Sequence, residues 1–565
     1  MDKKTIMAMA LCVAVWLVWD FFFPMTPQRH APTAQTTQSA QGAGQPATQD
    51  GRPAGAVNTL PEPGALPPSG PEQFSTLATA DYEAVFTNRG GLLKKFLLKH
   101  YKKRNDTTQR MENEPEDLVG GGDQRDLPFG LFFRKEKTDF QLPLHSDWNV
   151  VEKTAQSIVF QLEPKDNPRA PTLRKRYTIG PNPNQIDLDV ELINRSETSL
   201  REQPLLNLTG KMRAAPSTGC MGAPSIPRKP DCFVNNELRT IEPVAGKSLT
   251  AEPDVRWIGL NDQYFLLAAL PLDQDQAYCL LSARGDGYLE TQLMTPETVI
   301  PPGGSVHHRY RLFIGPKRLD YLEKIRFDQA SKESHLTAAV DYGWFAVICH
   351  PMLWLLKELY GVIGNYGVAI LFLTVVVKLL MLPLTQKSMK SMGGMARLKP
   401  LMEEIRKKVG DDKQKLNQEM LNLYKIHKIN PMSGCLPMLL QMPIWIALYR
   451  MLSSSVELYQ TPFIPGWIDD LSFRDPYFIM PLVLGVAMFL QQKMTPSSAD
   501  EQQAKMMLYM MPVMFTFIML YLPAGLVLYI FVNSVLSIGH QLLYNRWNNK
   551  AVILSGKSDA IIARP

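Results

Sequence analysis

The chain of 565 residues has room for more than one domain, and a formal net charge of +6 is too small to point to a nucleic-acid partner, so no DNA is expected. Six cysteines (Cys12, Cys220, Cys232, Cys279, Cys349 and Cys435) show no Cys-x-x-Cys or other zinc spacing, so neither metal nor cofactor is expected. The mean hydropathy of −0.13 conceals two regimes, a polar first two-thirds and apolar blocks from about 343 to 545.

Met1-Asp2-Lys3-Lys4 precedes an apolar run from Thr5 to Phe23 that contains Trp16 and Trp19. The run ends in Asp20-Phe21-Phe22-Phe23-Pro24 and not in small residues, so residues 1–24 read as an uncleaved anchor and not a signal peptide. Lys3 and Lys4 would hold its start in the cytoplasm. Residues 25–73 are rich in Pro, Gln, Ala, Thr and Gly and cannot bury enough apolar surface to order themselves, as in a flexible linker.

From 74 to 325 the period is two. In Ile186-Asp187-Leu188-Asp189-Val190-Glu191-Leu192 four apolar residues face one way and three acids the other. With the turn signals Arg89-Gly90-Gly91 and Pro301-Pro302-Gly303-Gly304, this predicts an extracytoplasmic all-β sandwich of antiparallel strands. Cys220 and Cys232 lie in a Pro- and Gly-rich loop of that domain, in an oxidising compartment, and a disulfide between them is expected. Residues 341–361 place Trp344, Phe345, Val347, Ile348, Met352, Leu353, Leu356 and Leu359 at helical spacing, with Lys357 and Glu358 among them. The segment reads as an amphipathic interfacial helix, too short and polar to span.

The stretch from Gly361 to Leu382 carries one charge, Lys378, set among Val375, Val376, Val377, Leu379 and Leu380. Its length crosses the ~30 Å hydrocarbon core. A lysine there costs about 2.5–3.5 kcal/mol on insertion scales and ordinarily lines a wet cavity. The next segment, 384–432, holds eleven Lys/Arg against five acids, with two apolar stripes broken at Gly410-Asp411-Asp412, and reads as a helical hairpin. The loop 453–476 is net −3, from Glu457, Asp469, Asp470 and Asp475 against Arg474. From Met506 to Asn545 there is no Asp, Glu, Lys or Arg, and Pro523-Ala524-Gly525 divides the stretch in two.

Charge alternation then orients the chain, with the basic hairpin and the tail 546–565 inside and the acidic loop and sandwich outside. The expected fold is a polytopic α-helical membrane protein with both termini cytoplasmic. Its six spans lie near 5–23, 363–382, 435–452, 477–493, 507–522 and 526–543, so 362–545 forms a five-helix membrane core. Thr374, Lys378, Gln441, Thr516, Tyr529 and Asn533 fall inside these spans, and no Asp or Glu accompanies them, as in a hydrated groove. Nineteen of the 28 methionines lie between Met381 and Met519, as on surfaces that accept many apolar partners. There is no Walker loop, His-Glu-x-x-His or Gly-x-Ser-x-Gly, so no catalytic residues are assigned and no enzyme is expected.

Several blocks carry a resemblance: Gly364-Asn365-Tyr366-Gly367, Met381-Leu382-Pro383-Leu384-Thr385, Asn430-Pro431-Met432-Ser433-Gly434-Cys435-Leu436-Pro437, Leu440-Gln441-Met442-Pro443-Ile444 and Pro523-Ala524-Gly525-Leu526-Val527-Leu528-Tyr529. In order and spacing they resemble the YidC/Oxa/Alb family of membrane insertases, of the Gram-negative type with a large periplasmic domain. That resemblance implies an insertase and chaperone of the bacterial inner membrane, working on nascent inner-membrane proteins in the lipid bilayer, alone or with the Sec translocon and beside the ribosome. It also implies that Lys378 occupies the groove position where the family usually has arginine; charge is kept and the planar fork lost. Leu439, Met442, Ile446, Met514 and Ile518 would form an apolar slide for the client. The rival is a solute transporter or channel with an extracytoplasmic binding domain, which would show paired broken helices in internal repeats. No such repeat is found.

Overall fold

The computed structural model describes residues 70–105, 111–142, 147–164, 167, 169–212, 227–251, 253–273, 276–327, 333–410, 412–427, 436–495 and 501–562. The expected anchor at 1–24, nearly all of the linker 25–73 and Cys220 lie outside these residues.

Antiparallel strands between Phe74 and Pro316 form the sandwich. One sheet has nine strands, in the order Glu237–Thr240, Lys229–Val234, Val255–Asn261, Phe265–Pro271, Ser305–Pro316, Gln185–Ile193, Thr172–Ile179, Ser157–Leu162 and Asn149–Lys153. The facing sheet has five: Ser248–Ala251, Tyr278–Ala283, Tyr288–Met294, Pro204–Lys211 and Gly130–Phe133. The alternation read at 186–192 holds: Ile186, Leu188, Val190 and Leu192 are buried. Of the three acids, Asp187 pairs with Arg311 at 3.0 Å and Asp189 with His307 at 3.1 Å across the neighbouring strand. Leu206, Leu281 and Leu293 of one sheet join Ile258, Leu260 and Leu267 of the other in a single core.

Phe265–Pro271 is buried at every position and shows no alternation. Its second face, with Trp257, packs under Leu322, Ile325, Leu336 and Ala339 of the segment that follows the last strand. A strand covered on both sides has no reason to alternate.

The expected Cys220–Cys232 bond is a wrong pairing. Cys232 is bonded to Cys279, with 6.6 Å between their Cα atoms. Cys232 sits in the nine-stranded sheet and Cys279 in the five-stranded one, so the bridge staples the two layers. Spacing along the chain does not register a partner that faces it across a sandwich.

After a single turn at Leu319–Leu322, the longer helices among the described residues are α1 (Ala346–Ile363), α2 (Tyr366–Val409), α3 (Lys413–Ile426), α4 (Leu436–Ser454), α5 (Ile479–Met494), α6 (Glu501–Met519) and α7 (Ala524–Ile562). Gly364 stops α1 in the left-handed conformation, at φ 74°, and Asn365 starts α2 by accepting from the Val368 N–H at 3.1 Å. At 44 residues α2 is about 66 Å long, so the predicted span and the first hairpin helix are one continuous rod. Gly410 ends it, and Asp412 caps α3 through the N–H groups of Gln414 and Lys415. In the hairpin Met395, Leu398 and Leu423 are buried, whereas Leu401 is exposed.

Among the described residues three stretches are long and apolar enough to cross a membrane: Gly343–Ile363, Tyr366–Met395 and Ala524–Arg546. Ile479–Met494 and Lys505–Met519 are apolar but shorter. By length and composition the first stretch meets the requirement that the sequence reading denied it. Helix α6 exposes Met506, Tyr509, Met510, Val513, Met514 and Phe517, a continuous i, i+3, i+4, i+7 stripe. A contiguous apolar face of this kind marks contact with lipid or protein, not water.

The sandwich and the loop 453–476 touch. Gln460 exchanges two hydrogen bonds with the Lys102 backbone, at 2.8 and 2.6 Å. Tyr459 stacks on Tyr264 with ring centroids 4.2 Å apart, and Tyr264 donates to the Leu452 carbonyl at 3.3 Å. Lys357 of α1 pairs with Glu457 at 2.6 Å.

Candidate functional site

Lys378 lies a third of the way along α2, half-buried against α7. Its ammonium donates to Asn533 Oδ1 at 3.2 Å and to Ser537 Oγ at 2.6 Å, both on α7. Among the described residues no carboxylate is close enough to pair with it. His540, one turn beyond Ser537, is near enough for the Lys378 charge to act on it. A cation thus sits in an apolar layer on neutral oxygens alone, with its charge uncancelled.

The other polar residues sort by what they touch. Gln441 Nε2 donates to the Tyr529 hydroxyl at 2.8 Å and ties α4 to α7 one turn before Asn533. Thr374 is buried and donates to its own helix at the Ile370 carbonyl, 2.7 Å away. Thr516 does the same to Pro512, and it fills the space at Gly485, where a Cβ would lie 2.2 Å from its Oγ1. Among the described residues neither threonine hydrogen-bonds to Lys378. Helix α7 carries the polar row: Tyr529, Asn533, Ser537 and Gln541 recur every four residues, and Gln541 donates to the Met494 carbonyl at 2.6 Å. Ser537, His540 and Gln541 were not singled out by the sequence reading, although spacing by four from Tyr529 was the signal that could have found two of them.

Of the apolar set, Met514 is exposed, whereas Met442, Ile446 and Ile518 are half-buried; the Leu439 side chain lies outside the description. Helix α4 packs on α1, α2 and α7, and α6 packs on α5, which packs on α7. Helix α4 therefore lies against the α2–α7 pair that carries Lys378, and α6 connects to that pair through α5.

Residues 75–355 match the family described as YidC periplasmic domain, and 358–551 that of the 60Kd inner membrane protein. A Pelobacter propionicus protein named membrane protein insertase YidC is 35% identical, covering 97% of this chain and 100% of its own. The chain belongs to the YidC family of membrane protein insertases. A YidC of Syntrophus aciditrophicus is 36% identical, with coverages of 97% and 100%. A crystal structure described as an active YidC insertase with the first transmembrane domain resolved covers 83% of this chain and 92% of its own, at 18% identity and a TM-score of 0.39. As a YidC-family insertase the protein acts on membrane-protein substrates in a bilayer.

Proposed function

We propose that this insertase admits the hydrophilic segment of a client into a hydrated groove at Lys378, while the client's apolar segment moves along the rows on α4 and α6. The observation that carries this reading is the Lys378 ammonium held by Asn533 and Ser537, with no carboxylate paired to it among the described residues. At an effective dielectric of about 20 and 4 Å, one carboxylate gains roughly 4 kcal/mol from such a cation before screening. Water and the lysine shorten the path that polar client residues travel through low dielectric.

The proposed topology has six spans with both termini cytoplasmic in the inner membrane; α1, although long and apolar enough to cross, is placed at the outer surface, where Lys357 meets Glu457 of the acidic loop. Contact between the sandwich and loop 453–476 supports placing both on one side. The basic hairpin α2–α3 at the far end of the rod supports the cytoplasmic side for its charges, next to the ribosome. A chaperone role beside the Sec translocon belongs to the same proposal.

The test is reconstitution of the purified chain in vesicles with a short single-span client. Insertion that follows the acidity of the translocated segment supports the groove, and insertion indifferent to it sinks the groove reading. Reporter fusions at 410 and 465 should read cytoplasmic and exterior.

A further inference from the structure

We propose that Asn533 and Ser537 are positioning residues that hold the Lys378 ammonium at one point in the groove and leave a single N–H for one carboxylate oxygen of the client. The proposal rests on the role of Lys378 given above and names the ligand chemistry: a lone Asp or Glu in the translocated segment, bound through one oxygen.

The argument is a count of donors and acceptors. An ammonium has three N–H groups. One goes to Asn533 Oδ1 at 3.2 Å and one to Ser537 Oγ at 2.6 Å. Ser537 cannot turn its proton toward Lys378, because that hydroxyl donates to the Asn533 carbonyl at 2.7 Å. Its lone pairs therefore face the ammonium, and a residue four positions back on the same helix fixes the second acceptor. Both acceptors are neutral, so they orient the cation without cancelling it; a carboxylate in either place would compete with the client. A guanidinium in the same place would keep the charge and present it as a planar fork.

The experiment uses the full chain in proteoliposomes and two versions of one single-span client, with Asp or Asn in the translocated segment. The readout is the acidic-to-neutral insertion ratio per folded insertase. Ser537→Ala should lower that ratio about five-fold, the size of one modest hydrogen bond, and Asn533→Leu should act alike. Ser537→Thr keeps the hydroxyl and should restore the ratio. If Lys378→Met collapses the ratio while Ser537→Ala and Asn533→Leu leave it intact, the cradle is overturned and the role of Lys378 stands. A ratio unmoved by all three variants overturns both. Equal loss on both clients at constant ratio assigns Ser537 and Asn533 a structural role and likewise overturns the proposal.

Discussion

Arg104 of the sandwich forms a salt bridge with Asp470 of the loop between α4 and α5, a residue 366 positions further along the chain. The guanidinium also lies 4.1 Å over the Phe473 ring. From there the backbone continues the connection: the Ala524 and Gly525 N–H groups, at the start of α7, donate to the carbonyls of Phe473 and Leu471 at 2.7 and 2.9 Å. The same loop holds the start of α2, where Asn365 Nδ2 donates to the Phe463 carbonyl at 3.1 Å. The sandwich thus grips the loop that seats both helices of the Lys378 pair.

Breaking that grip should be costly. Asp470 is buried, and burial raises its carboxyl while the Arg104 charge lowers it. Arg104→Ala leaves the carboxylate without its partner and should cost about 3–5 kcal/mol. Adding Asp470→Asn should recover part of the loss. Thermal unfolding of the two variants in detergent checks the order; equal stability of Arg104→Ala and the parent would refute it.

The Lys378 charge predicts an order of activity. Lys378→Arg should be tolerated, Lys378→Ala should impair clients with acidic translocated segments, and Lys378→Glu should impair them further by repulsion. Each 1.4 kcal/mol of lost attraction is about tenfold in the equilibrium. Insertion yields of an acidic and a neutral client, compared across the three variants, decide it.

Non-reducing mass mapping should recover Cys232 linked to Cys279. The bond closes 47 residues, and in the chain-entropy model such a loop contributes about 4 kcal/mol. Cys279→Ser should lower the unfolding midpoint of the sandwich accordingly. A recovered Cys220–Cys232 peptide would contradict the structure.

The sandwich should become more stable as pH rises from about 7 to 10. Lys175 is buried, donates to the Gly90 and Phe129 carbonyls at 2.9 and 3.2 Å and lies 5.1 Å from the Trp148 ring. Burial pushes its ammonium down to about 7 from an ordinary 10.5. Between those values the unfolded chain binds the proton and the folded chain does not, so stability climbs with pH by at most about 1.4 kcal/mol per unit, and is lost as pH falls toward 7. Lys175→Met should flatten that slope in pH-dependent unfolding.

The sequence by itself determined where the chain changes from strands to helices, because hydropathy period and breaker residues are local properties. The alternation at 186–192 and the Gly410–Asp412 break appear where the residues placed them, whereas the boundary read at Gly361 falls at Gly364-Asn365. It also marked Lys378, since a lone charge in an apolar run needs no knowledge of its neighbours. Only the tertiary structure decided what each polar group meets. Thr374 and Thr516 each donate to a carbonyl four residues back, as Ser537 does, but of the three only Ser537 hydrogen-bonds to Lys378 in the described structure. Ser537 became part of the site through the packing of α7 on α2. Cys232 found Cys279, and Arg104 found Asp470, across distances along the chain that no local pattern spans. Pairings of that kind are fixed by which surfaces pack, and packing is a property of the whole fold.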